Sequence, residues 1–233
     1  TGSFGVVYTP TEKWNITANF STGFRAPNVD DVGKVFDSEP RAVVIPNPDL
    51  SSEYVYNAEL DVARIFGNFL KVDATGYYTI LQNAMVRRDY QLNDQDSIFY
   101  DGTLSQVQAI QNAANATVYG IQAGLEARLG KGFSFSGHFN YQKGVEETDD
   151  GSISASRHAA PLFAVARLKY NAGRLNAQFY GIYNAEISYE NLPISERGKT
   201  EIYALDNNGN PYSPAWYTLN FKAMYQVSDH IQV

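Results

Sequence analysis

Four side chains in this sequence have the chemistry of a recognition site. Met85-Val86-Arg87-Arg88-Asp89-Tyr90 sets two guanidinium groups beside a phenol. A guanidinium presents a planar fork of donors that matches carboxylate-like oxygens two at a time, so Arg87, Arg88 and Tyr90 suit an anionic ligand. A solvated charge pair on a loop rim is the alternative. Arg25, in Ser21-Thr22-Gly23-Phe24-Arg25-Ala26-Pro27-Asn28, is the fourth candidate. The remaining chemistry is thin. There is no cysteine, so neither a disulfide nor a thiolate-held metal is available. The acidic run Val145-Glu146-Glu147-Thr148-Asp149-Asp150-Gly151 resembles a Ca²⁺ loop only loosely, because its oxygens are not at the required spacing. A flexible acidic loop is the better account of it. No G-x-S-x-G, H-E-x-x-H or Cys–His arrangement sets a nucleophile near a base, so neither an enzyme nor a bound cofactor is expected. The net charge of −7 argues against a nucleic-acid partner.

The elements that must position these residues are read from a period of two. Trp14, Ile16, Ala18 and Phe20 alternate with Asn15, Thr17, Asn19 and Ser21. Leu70, Val72, Ala74, Gly76, Tyr78 and Ile80 alternate with Lys71, Asp73, Thr75, Tyr77 and Thr79. The pattern returns from Tyr119, from Phe133, from Leu175 and from Tyr217. A strand sends alternate side chains to opposite faces, so each segment has one apolar and one polar face. About nine such strands are expected, each of roughly 10–13 residues, where globular strands have about 5–6 and a tilted membrane-crossing strand needs about 9–11.

The connections alternate in length. Short ones fall at 10–13, 65–68, 130–132, 171–174 and 228–230, and long ones at 25–51, 83–116, 144–159 and 188–214. Antiparallel up-and-down strands with tight turns at one rim and extended loops at the other have this rhythm, and outer-membrane barrels carry it. Aromatics gather at strand ends: Trp14, Phe20, Phe69, Tyr78, Phe133, Tyr141, Tyr170, Trp216 and Tyr225. With 17 Tyr and 13 Phe the chain suits headgroup girdles. No run of about 18 apolar residues is present to form a membrane helix. The fold expected is all-β, part of a transmembrane antiparallel up-and-down barrel with lipid as its outer partner. A soluble carbohydrate-binding β-sandwich is the competing fold. His138 falls on a lumen-facing strand position, His158 at a loop-to-strand junction and His230 in a short turn. Residues 104–116, with Gln106, Gln108, Gln111 and Asn112, suggest a short helix inside a long loop.

Two segments carry a family resemblance. Phe24-Arg25-Ala26-Pro27, followed by Asn47-Pro48-Asp49-Leu50-Ser51-Ser52-Glu53 and Asn57-Ala58-Glu59-Leu60, resembles segments of TonB-dependent outer-membrane receptors. Pro214-Ala215-Trp216-Tyr217-Thr218-Leu219-Asn220 is similar to their penultimate-strand region. The resemblance covers essentially the whole chain. It implies a barrel of about 22 strands with a plugged lumen, of which residues 1–233 form a partial barrel domain. The N-terminal plug, the early strands and the last strands would lie outside these residues.

It further implies active uptake of a scarce ligand, such as a ferric siderophore or similar iron or cofactor complex, across a bacterial outer membrane. Energy would come from the TonB complex acting through an N-terminal region, and a surface lipoprotein is a candidate partner. A haem or glycan importer of the same family, or a passive porin or adhesin barrel, is the alternative. The family's haem receptors carry a histidine in the loop between the two motifs, and residues 28–46 have none.

Overall fold

The computed structural model of the chain describes residues 1–112, 115–147, 152–156 and 161–233. Nine long strands among them make one wall: β1 (Gly2–Tyr8), β2 (Trp14–Arg25), β3 (Glu53–Phe66), β4 (Leu70–Gln82), β5 (Ala116–Gly130), β6 (Phe133–Glu147), β7 (Leu162–Ala172), β8 (Leu175–Asn184) and β9 (Trp216–Ser228). Each pairs antiparallel with the next in sequence, as expected of up-and-down strands. The sheet is not closed: β1 forms one edge, and a two-residue strand, Ile231–Gln232, pairs with β9 at the other. No helix among the described residues is long and apolar enough to cross a membrane.

Register sorts the side chains. One row runs Leu60, Gly76, Ile121, Tyr141, Leu162 across β3 to β7. Another runs Leu168, Phe179, Phe221 across β7 to β9. Bulky and small residues alternate within a row, as in Ala123, Phe139, Ala164 and Tyr183. These side chains point outward and stay uncovered by protein: Ile121 is 44% exposed, Phe179 49% and Phe221 70%. Leaving that much apolar surface in water forfeits about 25 cal/mol per Å², whereas acyl chains cover it. The face is therefore a lipid face.

The other face is polar and hydrogen-bonded. Thr75 Oγ1 donates to Asp61 Oδ2 at 2.8 Å, and Thr79 Oγ1 to Asn57 Oδ1 at 2.6 Å. The single Tyr77 hydroxyl proton is shared between Asn140 Oδ1 at 3.2 Å and Gln142 Oε1 at 3.1 Å. Gly120 makes room for that phenol, since a Cβ there would sit 2.6 Å from the Tyr77 hydroxyl.

Aromatic pairs mark both rims of the lipid face. At the short-turn end the Arg64 guanidinium lies 4.7 Å from the Trp14 ring and 4.3 Å from Phe66, and Phe133 and Tyr170 pack at 4.6 Å. Arg64 thereby reaches the headgroup level along aromatic faces. At the long-loop end Phe24 and Tyr54 lie 6.2 Å apart. Trp216 departs from the girdle expectation: it stands opposite Asn184, in the register of the polar face.

The long connections 26–52 and 83–112 fold together. Short strands Phe36–Glu39, Ala42–Ile45, Met85–Asp89, Ser97–Tyr100 and Thr103–Asn112 form a separate five-stranded sheet. The short helix expected within residues 104–116 is thus corrected to a strand. Ser105, Val107 and Ala109 are buried at a period of two, and Ala42–Ile45 pairs in parallel with residues 106–109. The β-branched run Val43-Val44-Ile45 is a strong strand former. Its pairing overrides the weak helical preference of the Gln- and Ala-containing segment.

The two faces can be told apart by placing one arginine on each. In the full-length receptor refolded into lipid vesicles, Ile121→Arg should lower stability by about 2–4 kcal/mol. Gln122→Arg, one residue along on the polar face, should stay within about 0.5 kcal/mol. Urea midpoints measure both, and equal losses would contradict the assignment of faces.

Candidate functional site

The candidate site is the loop sheet above the long-loop rim, and a few side chains decide its position. Arg25, the last residue of β2, donates from Nη2 to both Asp31 oxygens at 2.7 and 2.9 Å, and from Nη1 to Glu53 Oε1 at 3.5 Å. Asp31 in turn accepts from the Asn28 backbone N–H at 3.0 Å while Asn28 Oδ1 accepts from the Asp31 N–H at 3.0 Å. That reciprocal capping box starts the one-turn helix Val29–Gly33. The second oxygen of Glu53 accepts from the Met85 N–H at 2.9 Å. One carboxylate thus joins the first loop, through Arg25, to the second.

The Asn-Pro-Asp-Leu segment is a clamp of the same kind. Asn47 is buried; its Nδ2 donates to the Ile110 carbonyl at 2.8 Å and its Oδ1 accepts from the Asp49 N–H at 3.1 Å. Asn112 Oδ1 accepts from the Ser51 N–H at 2.7 Å, and its Nδ2 donates to the carbonyls of Ser51 at 2.9 Å and Asn83 at 2.8 Å. The sequence singled out these motif residues by resemblance; their work in the fold is to hold two loops as one body.

The other candidates lie on or beside the strand Met85–Asp89. Arg88 is half-buried, and its Nη2 donates to the Glu147 carbonyl at 2.8 Å, tying the second loop to the end of β6. Tyr90 packs against the small core of Ile45, Val107 and Ala109, and its N–H donates to the Val107 carbonyl at 2.9 Å. Arg87 is exposed, 5.9 Å from the Phe36 ring. Lys34 approaches the same ring at 5.4 Å. Both distances are within cation–π reach. Phe36 flanked by Lys34 and Arg87 is a cluster that sequence reasoning missed. Arg87 lies about fifty residues from the other two, and only the folding of the two loops into one sheet brings it to them.

The later loops are also cross-linked. The Ile194 N–H donates to Ser154 Oγ at 3.1 Å, and buried Glu196 accepts from Lys199 Nζ and the Tyr203 hydroxyl, each at 3.2 Å. The backbone N–H of Asn210 and that of Asn208 donate to Asp206 Oδ1, each at 2.8 Å, and hold its carboxyl below the usual carboxylate range. His138 projects from β6 opposite Gly124 and Val165, on the polar face, and His230 lies in the last turn. His158 and residues 148–151 of the acidic run fall outside the described residues. Among the described residues no group of three or more His, Asp or Glu could hold a metal ion.

A wall of long paired strands, lipid-facing on one side and polar on the other, with its long loops clamped above one rim, belongs to a transmembrane β-barrel receptor. The family model for the TonB dependent receptor-like β-barrel matches residues 1–233, and the chain belongs to that family. Barrels of the family sit in the Gram-negative outer membrane, and the family and its fold neighbours are transport receptors, not enzymes.

Among curated proteins the chain is 27% identical to "Hemoglobin-haptoglobin utilization protein B" of Neisseria meningitidis, over 96% of this chain and 28% of that protein. It is 27% identical to "Hemoglobin and hemoglobin-haptoglobin-binding protein A" of Haemophilus influenzae, over 85% and 19%. The chain therefore spans under a third of either relative. Among solved structures, a ferric enterobactin receptor from Pseudomonas aeruginosa superposes with a TM-score of 0.73 at 14% identity, covering 99% of this chain and 33% of that one. The siderophore receptor PirA from the same organism gives 0.69 at 16% identity, covering 99% and 36%. At those identities the likeness is one of fold.

The clamp ranks its own members. Arg25→Ala should cost at most about 1 kcal/mol, because its side chain is 46% exposed and the ion pairs are screened. Asn112→Ala strips the partners from Ser51 N–H and two carbonyls, and should cost at least about 1 kcal/mol. Limited proteolysis of the receptor in detergent should then nick both loops about fivefold faster for Asn112→Ala. Faster cleavage confined to one loop would contradict their behaving as one body.

Proposed function

We propose that this chain is part of an outer-membrane receptor that takes up a scarce iron-bearing ligand, energised by TonB through a region outside these residues. The observation that carries the ligand class is the Lys34–Phe36–Arg87 cluster. Two exposed cations beside an aromatic ring suit an anionic chelate with planar or aromatic parts, such as a ferric siderophore. Arg25, Arg88 and Tyr90 support that surface from behind by fixing the loops that carry it. The polar inner face suits a lumen filled by protein or water, and the apolar outer face suits lipid.

A second reading is favoured by the names of the curated relatives, both of which refer to hemoglobin-haptoglobin. In that reading the iron arrives as haem on a carrier protein. The described histidines do not lie in the loop sheet, so a histidine ligand to haem from that surface is not part of it.

Deleting the full-length gene and supplying one iron source at a time tests both readings. Growth on a ferric siderophore, on haem or on haemoglobin should be lost and then restored by the gene, and inactivating TonB should abolish the same growth. Unchanged growth on every iron source would refute iron uptake, and ligand passage without TonB would point to a passive pore. Within the receptor, Arg87→Ala should weaken binding of an anionic chelate about tenfold, or about 1.4 kcal/mol, with loop proteolysis unchanged.

A further inference from the structure

The outward face of the wall is apolar between its rims. The charged side chains on the outward rows of its nine strands are Arg64, Lys143 and, at the end of β6, Glu147. Arg64 is held by the Trp14 and Phe66 rings at the short-turn rim. Lys143 is at the opposite rim, directly across from Tyr119 on β5. β7 begins at Leu162, opposite Tyr141, so Lys143 stands one outward position beyond the last β6–β7 pair. It is exposed and has neither a carboxylate within 4.0 Å nor a ring or hydrogen-bond partner among the described residues. Glu147 is four residues further on, about 13 Å along the strand.

Below Lys143, toward the membrane centre, the outward surface sinks into a shallow apolar trough of about 660 Å³. Ala58 and Gly76 form its floor, and Leu60, Tyr119, Ile121 and Tyr141 border it. Its depth comes from Gly76: a Cβ placed there would meet no atom within 4 Å. Tyr78 and Tyr119 stack along its upper edge, with centroids 6.1 Å apart.

We propose that Lys143 and this trough form a binding site for a phosphorylated, multiply acylated glycolipid of the outer leaflet, with a phosphate on Lys143 and acyl chains in the trough. The inference needs only the lipid face and the rim that carries the long loops, and it is independent of what the receptor takes up. A cation that faces lipid is unfavourable unless it reaches the headgroup layer and an anion there. The Lys143 ammonium has three donors and meets that layer from the side of the wall. The long loops mark the extracellular rim, and the leaflet at that rim of a Gram-negative outer membrane is built of phosphorylated sugars carrying several acyl chains each. The trough runs from β3 to β6, about 14 Å at the usual strand separation, so neighbouring chains from one head fit side by side. An aromatic girdle accounts for Tyr78, Tyr119 and Tyr141. It accounts for neither the unmatched cation nor the open space above Gly76.

The test uses the full-length receptor in detergent, titrated with bisphosphorylated lipid A, with bound lipid counted by native mass spectrometry. Lys143→Gln should weaken binding about tenfold, the loss of one charge-assisted contact. Lys143→Arg should keep it. Gly76→Leu, which fills the trough without meeting protein atoms, should weaken it as well. Exposed Ala58 offers Ala58→Leu in its place if that variant does not fold. Lys131→Gln, in a short turn at the other rim, should bind as wild type. Raising salt from about 0.05 M to about 0.5 M should weaken the wild type and leave Lys143→Gln unmoved. Dephosphorylated lipid A and phosphatidylglycerol should each bind the wild type about tenfold more weakly than lipid A does.

Equal binding by the wild type and Lys143→Gln would overturn the proposal. Undiminished binding after the trough is filled would do the same. So would displacement of lipid A by inorganic phosphate alone, which would make Lys143 a phosphate site without a lipid. Phosphatidylglycerol binding as tightly as lipid A would leave only a general contact with anionic lipid, and the glycolipid site would fall. None of these outcomes bears on the uptake reading, which the growth assays test separately.

Discussion

A peptide group in hydrocarbon has only other peptide groups to bond, and each one left unpaired costs several kcal/mol. That constraint orders the whole chain. β5 pairs residue for residue with β4 over Ala116–Ala127 and with β6 almost to its end, so both of its edges are spoken for across the membrane. Continuous pairing of this kind forbids irregular backbone within the span and pushes irregularity to the rims. It also fixes the period of two, because a strand held straight on both sides must send alternate residues to lipid and to lumen. Side-chain choice then follows: Gly76, Ala123 and Gly181 on the outer face sit beside Ile121, Phe139 and Leu219. The packing is graded by size because chemistry leaves only apolar residues to choose from.

Above the rim water satisfies the backbone, and a different rule takes over. Loops of this length lose conformational entropy when fixed, and they need a core to offset it. Residues 26–52 and 83–112 supply one jointly. Ala42–Ile45 pairs within its own loop with Phe36–Glu39, and Thr103–Asn112 within its own loop with Met85–Asp89 and Ser97–Tyr100, and the parallel pairing between the two loops encloses Val43, Val44 and Val107. The polar clamps then set the register of one loop on the other. Asn47 and Asn112 are well suited to this, since a carboxamide donates and accepts at once: Asn112 holds both the N–H and the carbonyl of Ser51 on the other loop, and Asn47 joins the Asp49 N–H of its own loop to the Ile110 carbonyl of the other.

The wall was legible in the sequence because its signal is local. Alternation from Trp14 to Phe20 or from Leu70 to Ile80 needs no knowledge of any other segment, and the short and long connections follow from where it breaks. The loop sheet was not legible, because the pairing that joins its two halves links residues about sixty positions apart and runs parallel, a contact no local period announces. Residues 104–116 show the consequence: Gln106, Gln108 and Gln111 suggested a helix, and the strand character was decided by Val43 and Val44 on another loop. Arg25 was singled out by its motif. Its motif pointed to recognition by resemblance, while its partners Asp31 and Glu53 give it a duty in the fold. The cluster at Phe36 left only a faint trace, one aromatic between a lysine and an acidic pair, and Arg87 joins it only after folding.

The same two residue types do opposite things at the two ends of the wall. At the long-loop rim Arg25 and Arg88 are consumed by carboxylates and carbonyls, so a ligand that engaged Arg25 would compete with two ion pairs already in place and would loosen the loops it was binding. Recognition is better carried by cations with no structural debt, and Lys34 and Arg87 meet that condition because an aromatic face orients them without neutralising them. At the short-turn end Arg128, Lys169 and Lys222 share one row of the inner face and have no carboxylate within 4.0 Å among the described residues.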